Sequence, residues 1–274
     1  MRERSAPLTR GDIVRWILLG LLVLAQFLPN TGVNPGVAAI VGELPVVIAL
    51  LHFAAWTRWR TALAGLAIMY AIAYLSEFLG THTGLVFGPY FYSQTAIGPL
   101  LWEVPILLPL AYFAMGYCAY VVTRTMLRNL HRRMTGGELV ITSLLSAFVM
   151  TAIDIVSDPI AATVLGKWTW EGGGAYFGVP VHNFYGWLGT TFTFFLVVSW
   201  LLNRPANVAL LQRPTPAQFP AQAIVLYVTF GLGVVLNPLL GRTGEIYEAM
   251  SMLALFIMAI PVLTAAWALR RPTD

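Results

Sequence analysis

Apolar residues run through this chain in long stretches, separated by short basic connections or by segments rich in glycine and aromatics. A helix needs roughly 20 apolar residues to cross the hydrocarbon of a bilayer. Eight segments approach or reach that length, at approximately 12–28, 37–56, 61–79, 100–122, 139–157, 184–202, 221–240 and 246–269. Arg15 interrupts the first near its start and is expected to snorkel to the headgroups. Arg2, Arg4 and Arg10 ahead of it resemble the flank of a signal peptide. Leu28-Pro29-Asn30 offers no small-residue cleavage site, so the first span is expected to stay uncleaved. The pattern predicts an all-α, polytopic helical membrane bundle of about eight transmembrane helices, one membrane domain over residues 1–274.

Composition supports this reading and removes others. Apolar residues make up 58% of the chain and charged residues 10%, against about 25% charged in ordinary globular proteins. Mean hydropathy is +0.74. A soluble fold of this make-up would expose more apolar surface than water tolerates, which excludes a soluble enzyme, a nucleic-acid binder and a disordered chain. The net charge of +4 does not reverse that, because the bases are placed for topology. With the N-terminus cytoplasmic, 14 of the 16 Lys and Arg residues fall at inner ends and only Lys167 and Arg242 outside, as the positive-inside rule requires. The run Arg124–Arg133 then reads as a topogenic loop, and both termini as cytoplasmic faces of a plasma-membrane protein. The lone cysteine, Cys118, excludes an intrachain disulfide and a thiolate cluster.

Two connections on the non-cytoplasmic side differ from the rest. Residues 80–99 and 158–183 are rich in Gly, Pro and aromatics, too apolar for free loops and too broken for spans. Irregular backbone at membrane depth is tolerated only when buried in protein or lining a cavity. Both are expected to fold back into the bundle as buried loops. They share a loose pattern, Gly84-Leu-Val-Phe87-Gly88 against Gly174-Ala-Tyr-Phe177-Gly178, which is too short to establish a duplication.

Ionisable groups within spans cost about 2.5–3.5 kcal/mol each at mid-helix, so each requires a reason. Here Glu43, Glu77, Glu103, Asp154 and Glu248 fall near the outer ends of expected helices. Asp158, His82 and His182 fall just beyond, on the two loops; His52 is the exception in the inner half. Asp154 and Asp158 are spaced i,i+4 and share a helix face until Pro159, which is expected to end the helix. So placed, they can share a proton and serve as a general acid, or Asp158 can simply cap a turn. Glu77 is either a functional acid or an acceptor for backbone amides of the first loop, and Glu103 either functional or a helix-start acceptor. His82 and the pair His182-Asn183 are the polar residues of the loops, catalytic or merely hydrogen-bonded. Four histidines without metal-ligand spacing make a metal site a weak reading, and the scarcity of outer cations argues against a diphosphate substrate. Aromatics crowd the same layer, as an interfacial belt or as π-surfaces able to stabilise positive charge.

The sequence Glu77-Phe-Leu-Gly80-Thr-His82-Thr-Gly84, with Phe87-Gly88-Pro-Tyr90-Phe-Tyr92, Asp154, Asp158-Pro159, Trp168-Thr-Trp170, Gly174-Ala-Tyr-Phe177-Gly178 and Asn183-Phe184-Tyr-Gly186-Trp187, resembles the carotenoid hydratase family. The resemblance covers roughly residues 40–202. It implies an enzyme, a hydro-lyase of carotenoid biosynthesis, that adds water across the terminal double bond of an acyclic carotenoid in a lipid membrane, with no cofactor, metal or nucleic acid. Protonating an unactivated alkene needs a strong, desolvated acid; the resulting tertiary cation needs aromatic or anionic neighbours. On that chemistry Asp154 and Asp158 are the expected proton-donating pair. Glu77 or His82 would position the water, and His182 and Asn183 would orient one of these groups. Phe87, Tyr90, Tyr92, Trp168, Trp170, Tyr176, Phe177, Phe184 and Trp187 would line the end-group pocket. A membrane carotene cyclase starts with the same protonation, and a lipid transporter or binding scaffold is the rival from another class.

Overall fold

The computed structural model describes residues 8–27, 35–93, 98–213, 215–216 and 218–270, with the side chains of 35–40 left aside. Arg2, Arg4 and Arg271, and positions 94–97 of the first connecting loop, fall outside the described residues. Helices occupy all eight expected positions: α1 (Arg10–Ala25), α2 (Pro35–Trp56), α3 (Trp59–Thr83), α4 (Leu108–Met126), α5 (Gly136–Pro159), α6 (Val181–Leu202), α8 (Phe219–Leu236) and α9 (Glu245–Arg270). A short α7 (Pro205–Leu211) joins α6 to α8. Among the described residues, five helical segments are long and apolar enough to cross a membrane: α3, α5 with the turn that follows it, α6, α8 and α9.

Helix α4 is central. It packs against α2, α3, α5, α8 and α9 and is almost wholly buried from Tyr112 to Thr125. Its polar positions therefore meet protein rather than lipid. The outer helices divide their surface differently: Leu255, Phe256, Ile260, Leu263 and Trp267 of α9 are all exposed, the distribution expected where the surrounding medium is itself apolar. Tight approach between neighbours is set by small residues; a Cβ on Gly116 of α4 would sit 3.1 Å from the Phe194 ring of α6.

Several expectations are corrected by partners far away in sequence. Arg15 is buried instead of snorkelling: its guanidinium meets Asp12 Oδ1 at 2.5 Å and Gln222 Oε1 at 2.9 Å. A buried cation is tolerable when paired and hydrogen-bonded, and Gln222 completes the pairing by donating to the Asp12 carbonyl. Arg124 is likewise buried, in the last turn of α4. It donates to Asn129 and to the Arg132 carbonyl, satisfying acceptors just past the end of α4. The span expected at 100–122 begins only at Leu108, because residues 100–105 form a small antiparallel hairpin of β2 (Leu100–Leu101) and β3 (Val104–Pro105). Trp102 and Glu103, both with positive φ, form its two-residue turn, so Glu103 sits at a hairpin tip and not at a helix start.

Pro159 does not terminate its segment. The chain continues through one π-helical turn, Ile160–Val164, a widened geometry that often accompanies functional sites. Proline has no N–H to give the carbonyl four residues back. The Tyr176 hydroxyl donates to that carbonyl, Ile155 O, at 3.1 Å.

Candidate functional site

The C-terminal ends of α3 and α5 and the N-terminal ends of α4 and α6 gather at one end of the bundle, which places Glu77, Tyr112, Asp154, Asp158 and Asn183 at similar depth. A capping box at the start of α5, with Thr135 and Glu138 exchanging hydrogen bonds, fixes the helix entry. From there the i,i+4 spacing turns Asp154 and Asp158 to the same inward face, and both are buried.

The two connecting loops close this end together. β1 (Tyr90–Tyr92) pairs antiparallel with β4 (Trp168–Trp170), setting Tyr90 opposite Trp170 and Tyr92 opposite Trp168. Alternation along β1 buries Tyr90 and Tyr92 while exposing Phe91. The Trp170 indole donates to the Phe87 carbonyl at 3.0 Å, tying the loops a second time. Glycine makes the close approach possible. A Cβ on Gly186 of α6 would lie 2.0 Å from the Val86 carbonyl oxygen, and one on Gly80 of α3 would lie 2.9 Å from the Phe87 ring.

Under this cover, Glu77 accepts three phenol hydroxyls: Tyr90 and Tyr92 on Oε2, the latter at 2.5 Å, and Tyr112 on Oε1 at 2.5 Å. Three donors fill most of the acceptor positions of a carboxyl group. Burial, with the Glu77 carboxyl beside them, holds the Tyr90 and Tyr92 hydroxyls well above the ordinary phenol range, so they remain donors. Facing this cage, the Asn183 amide donates to Asp158 Oδ2 at 2.6 Å and to Asp154 Oδ2 at 3.2 Å. Among the described residues no Lys or Arg forms an ion pair with any of the three acids.

A cavity of about 30 Å³ lies between the two groups. Glu77, Asp158 and Asn183 supply its polar wall, and Leu108 with seven aromatic rings supplies the rest. Those rings are Phe87, Tyr90, Tyr92, Tyr112, Trp168, Trp170 and Trp187. Tyr112 and Trp187 stack with centroids 4.3 Å apart. Asp154 stands behind Asp158, joined to the cavity through Asn183. Among the described residues no group of three or more His, Cys, Asp or Glu side chains is arranged to hold a metal ion.

Other expected members lie elsewhere. His82 is not on a loop but in the last turn of α3, exposed, with its ring on the Phe78 carbonyl and 4.0 Å from Glu103. His182 opens α6, also exposed, and meets the Leu85 carbonyl at 2.9 Å. Neither lines the cavity. Tyr176, Phe177 and Phe184 form a separate aromatic cluster, Tyr176 lying 5.4 Å from Phe177 and 5.3 Å from Phe184. Glu43 is half-buried in α2 and Glu248 exposed in α9, both away from the cavity. Tyr112 and Leu108 were not anticipated. Tyr112 is embedded in an apolar run without motif neighbours, and only the tertiary fold turns its hydroxyl to Glu77.

The model of a family described as carotenoid biosynthesis protein matches residues 36–262. The chain belongs to that family. Its members' shared region takes in every cavity residue named above and leaves out α1. This carotenoid biosynthesis protein is also similar to the bisanhydrobacterioruberin hydratase of Haloarcula japonica, 33% identical over 128 residues. That alignment covers 46% of this chain and 41% of the relative, so the chain spans less than half the length of the curated protein it matches. No solved structure matches it.

Proposed function

We propose that this carotenoid biosynthesis protein is a hydratase: it adds water across the terminal double bond of an acyclic carotenoid held in the membrane. The observation that carries the reading is the facing of two differently built acid groups, Asp158 with Asp154 and Asn183, and Glu77 with three tyrosines, across one aromatic-walled cavity. Asp158, backed by Asp154, is the proton donor. Asn183 orients the pair by donating to both oxygens. Glu77, held by its three phenols, takes the proton from the attacking water. The rings of Tyr112 and Trp187 face the tertiary cation, whose charge they stabilise where bulk water would quench it. His82 and His182, both on the exposed surface, have no part in this scheme.

The similarity to a bisanhydrobacterioruberin hydratase supports water addition over ring closure. A carotenoid is an apolar rod comparable in length to the hydrocarbon thickness, about 30 Å. Its end group therefore meets an acid cluster placed toward one end of an otherwise apolar bundle. The basic connections put that end on the outer face, with both termini cytoplasmic.

Expression in a lycopene-producing bacterium tests the reaction. The expected pigment gains the mass of one water, with its oxygen drawn from ¹⁸O-labelled water and not from labelled O₂. Unchanged mass with shifted absorption would replace hydration by cyclisation.

A further inference from the structure

The cavity between Glu77 and Asp158 measures about 30 Å³. A water needs roughly 10–15 Å³ of such space and two to four polar partners. Glu77, Asp158 and Asn183 supply the partners. The space is therefore suited to one or two waters.

We infer that this cavity holds the attacking water against Glu77, Asp158 and Asn183 while the end group presents its cation to it, and that the water's occupancy decides whether the cation is hydrated or merely loses a proton. The inference rests on the hydration reading and adds a ligand site to it. In the reaction the alkene π pair takes the Asp158 proton, forming a C–H bond and leaving a tertiary cation and an Asp158 carboxylate. The oxygen lone pair of the cavity water forms the C–O bond, and its surplus proton passes to Glu77. The second water relays that proton back to Asp158, so the net change is addition of one H₂O. Without a water in the cavity, the same cation can only return a proton from a neighbouring carbon, giving an exchanged or isomerised alkene of unchanged composition.

Leu108 offers the handle. It is a half-buried side chain in the first turn of α4 and the aliphatic part of the cavity wall; it carries no proton and no hydrogen bond. Leu108→Phe extends a ring into the water space, while Leu108→Met keeps the volume close to that of leucine. Cells expressing each variant with an acyclic carotenoid are grown in deuterated medium, and the pigments are analysed by mass for oxygen gain and for deuterium in the unhydrated pool.

For Leu108→Phe the ratio of hydrated to deuterium-exchanged carotenoid is expected to fall by about tenfold or more, the loss of a positioned nucleophile, while deuterium incorporation continues. Leu108→Met, close to leucine in volume, should lower the ratio far less than Leu108→Phe. A wild-type ratio in Leu108→Phe overturns the water site. So does loss of hydration and exchange together in Leu108→Phe with both retained in Leu108→Met, which would mean that the space serves protonation and not the water alone. Loss of both in both variants also overturns it, since the side chain would then support the acid itself. Failure of the hydration reading looks different: the wild-type protein would add no water at all.

Discussion

Asn183 Nδ2 lies 2.6 Å from Asp158 Oδ2, and the same nitrogen reaches Asp154 Oδ2 at 3.2 Å. One amide thus holds two buried carboxyls that share a helix face, and the first turn of α6, packed against α5, brings it there. Without that donor the two acids face each other with no fixed orientation. Asn183→Ala is expected to lower turnover by about 10²–10³-fold, the range seen when one preorganised donor is removed. Asn183→Asp adds a third carboxyl and should be no better. Pigment conversion per inserted protein checks both.

The Glu77 cage predicts a graded stability series. Tyr90→Phe, Tyr92→Phe and Tyr112→Phe each remove one hydroxyl from the carboxyl without opening much space. Each should cost about 1–3 kcal/mol by leaving a buried acceptor short of a donor. The double variants should depart from additivity, since the three phenols share one partner. Denaturation in detergent, followed by the fluorescence of Trp168, Trp170 and Trp187, measures this.

Loop closure can be tested with two glycines on one helix. Gly186→Ala places a carbon 2.0 Å from the Val86 carbonyl oxygen, a contact that backbone cannot yield to cheaply, so the first loop should lift and activity should be lost. Gly189→Ala on the same helix meets nothing within 4 Å. It should change stability by no more than about 1 kcal/mol and leave conversion intact. Equal loss in both would mean that α6 tolerates no added carbon and that loop approach is irrelevant.

Strand pairing between the loops makes a direct geometric prediction. Phe91 and Thr169 are register partners, both exposed. Antiparallel partners lie about 4.5–5.5 Å apart at Cα, within reach of a disulfide. Phe91→Cys with Thr169→Cys, in a Cys118→Ser background, should cross-link readily under mild oxidation. Leu85→Cys with Thr169→Cys should not. A mobility shift after cleavage between the loops reads the bond.

Helix positions were legible because apolar length reports directly on lipid thickness, and the i,i+4 spacing of Asp154 and Asp158 because helical periodicity is local. Composition marked the two loops as unusual, but their pairing through Tyr90–Tyr92 and Trp168–Trp170 was not legible. What escaped depends on contacts distant in sequence. Arg15 reads as a snorkelling base until Gln222, 207 residues on, accepts from it. Tyr112 reads as one more apolar aromatic until Glu77, 35 residues earlier, meets its hydroxyl. His82 and His182 read as site residues because they sit beside the motifs, but the rotation of α3 and α6 turns them outward. Pro159 reads as a helix end because its missing N–H is local, whereas the Tyr176 hydroxyl that replaces it comes from the second loop.

The central claim, that Asp158 and Glu77 work on one substrate end group from opposite walls of a shared cavity, is met most directly by replacing them with their amides. Asp158→Asn and Glu77→Gln change little in shape and remove only the transferable proton and the charge. In membranes holding wild-type amounts of inserted protein, conversion of an acyclic carotenoid to its hydrated form is expected to fall at least about 10²-fold for each, and hardly further for the double variant, because the two act in one reaction. Hydration at the wild-type rate in either single variant would contradict the account.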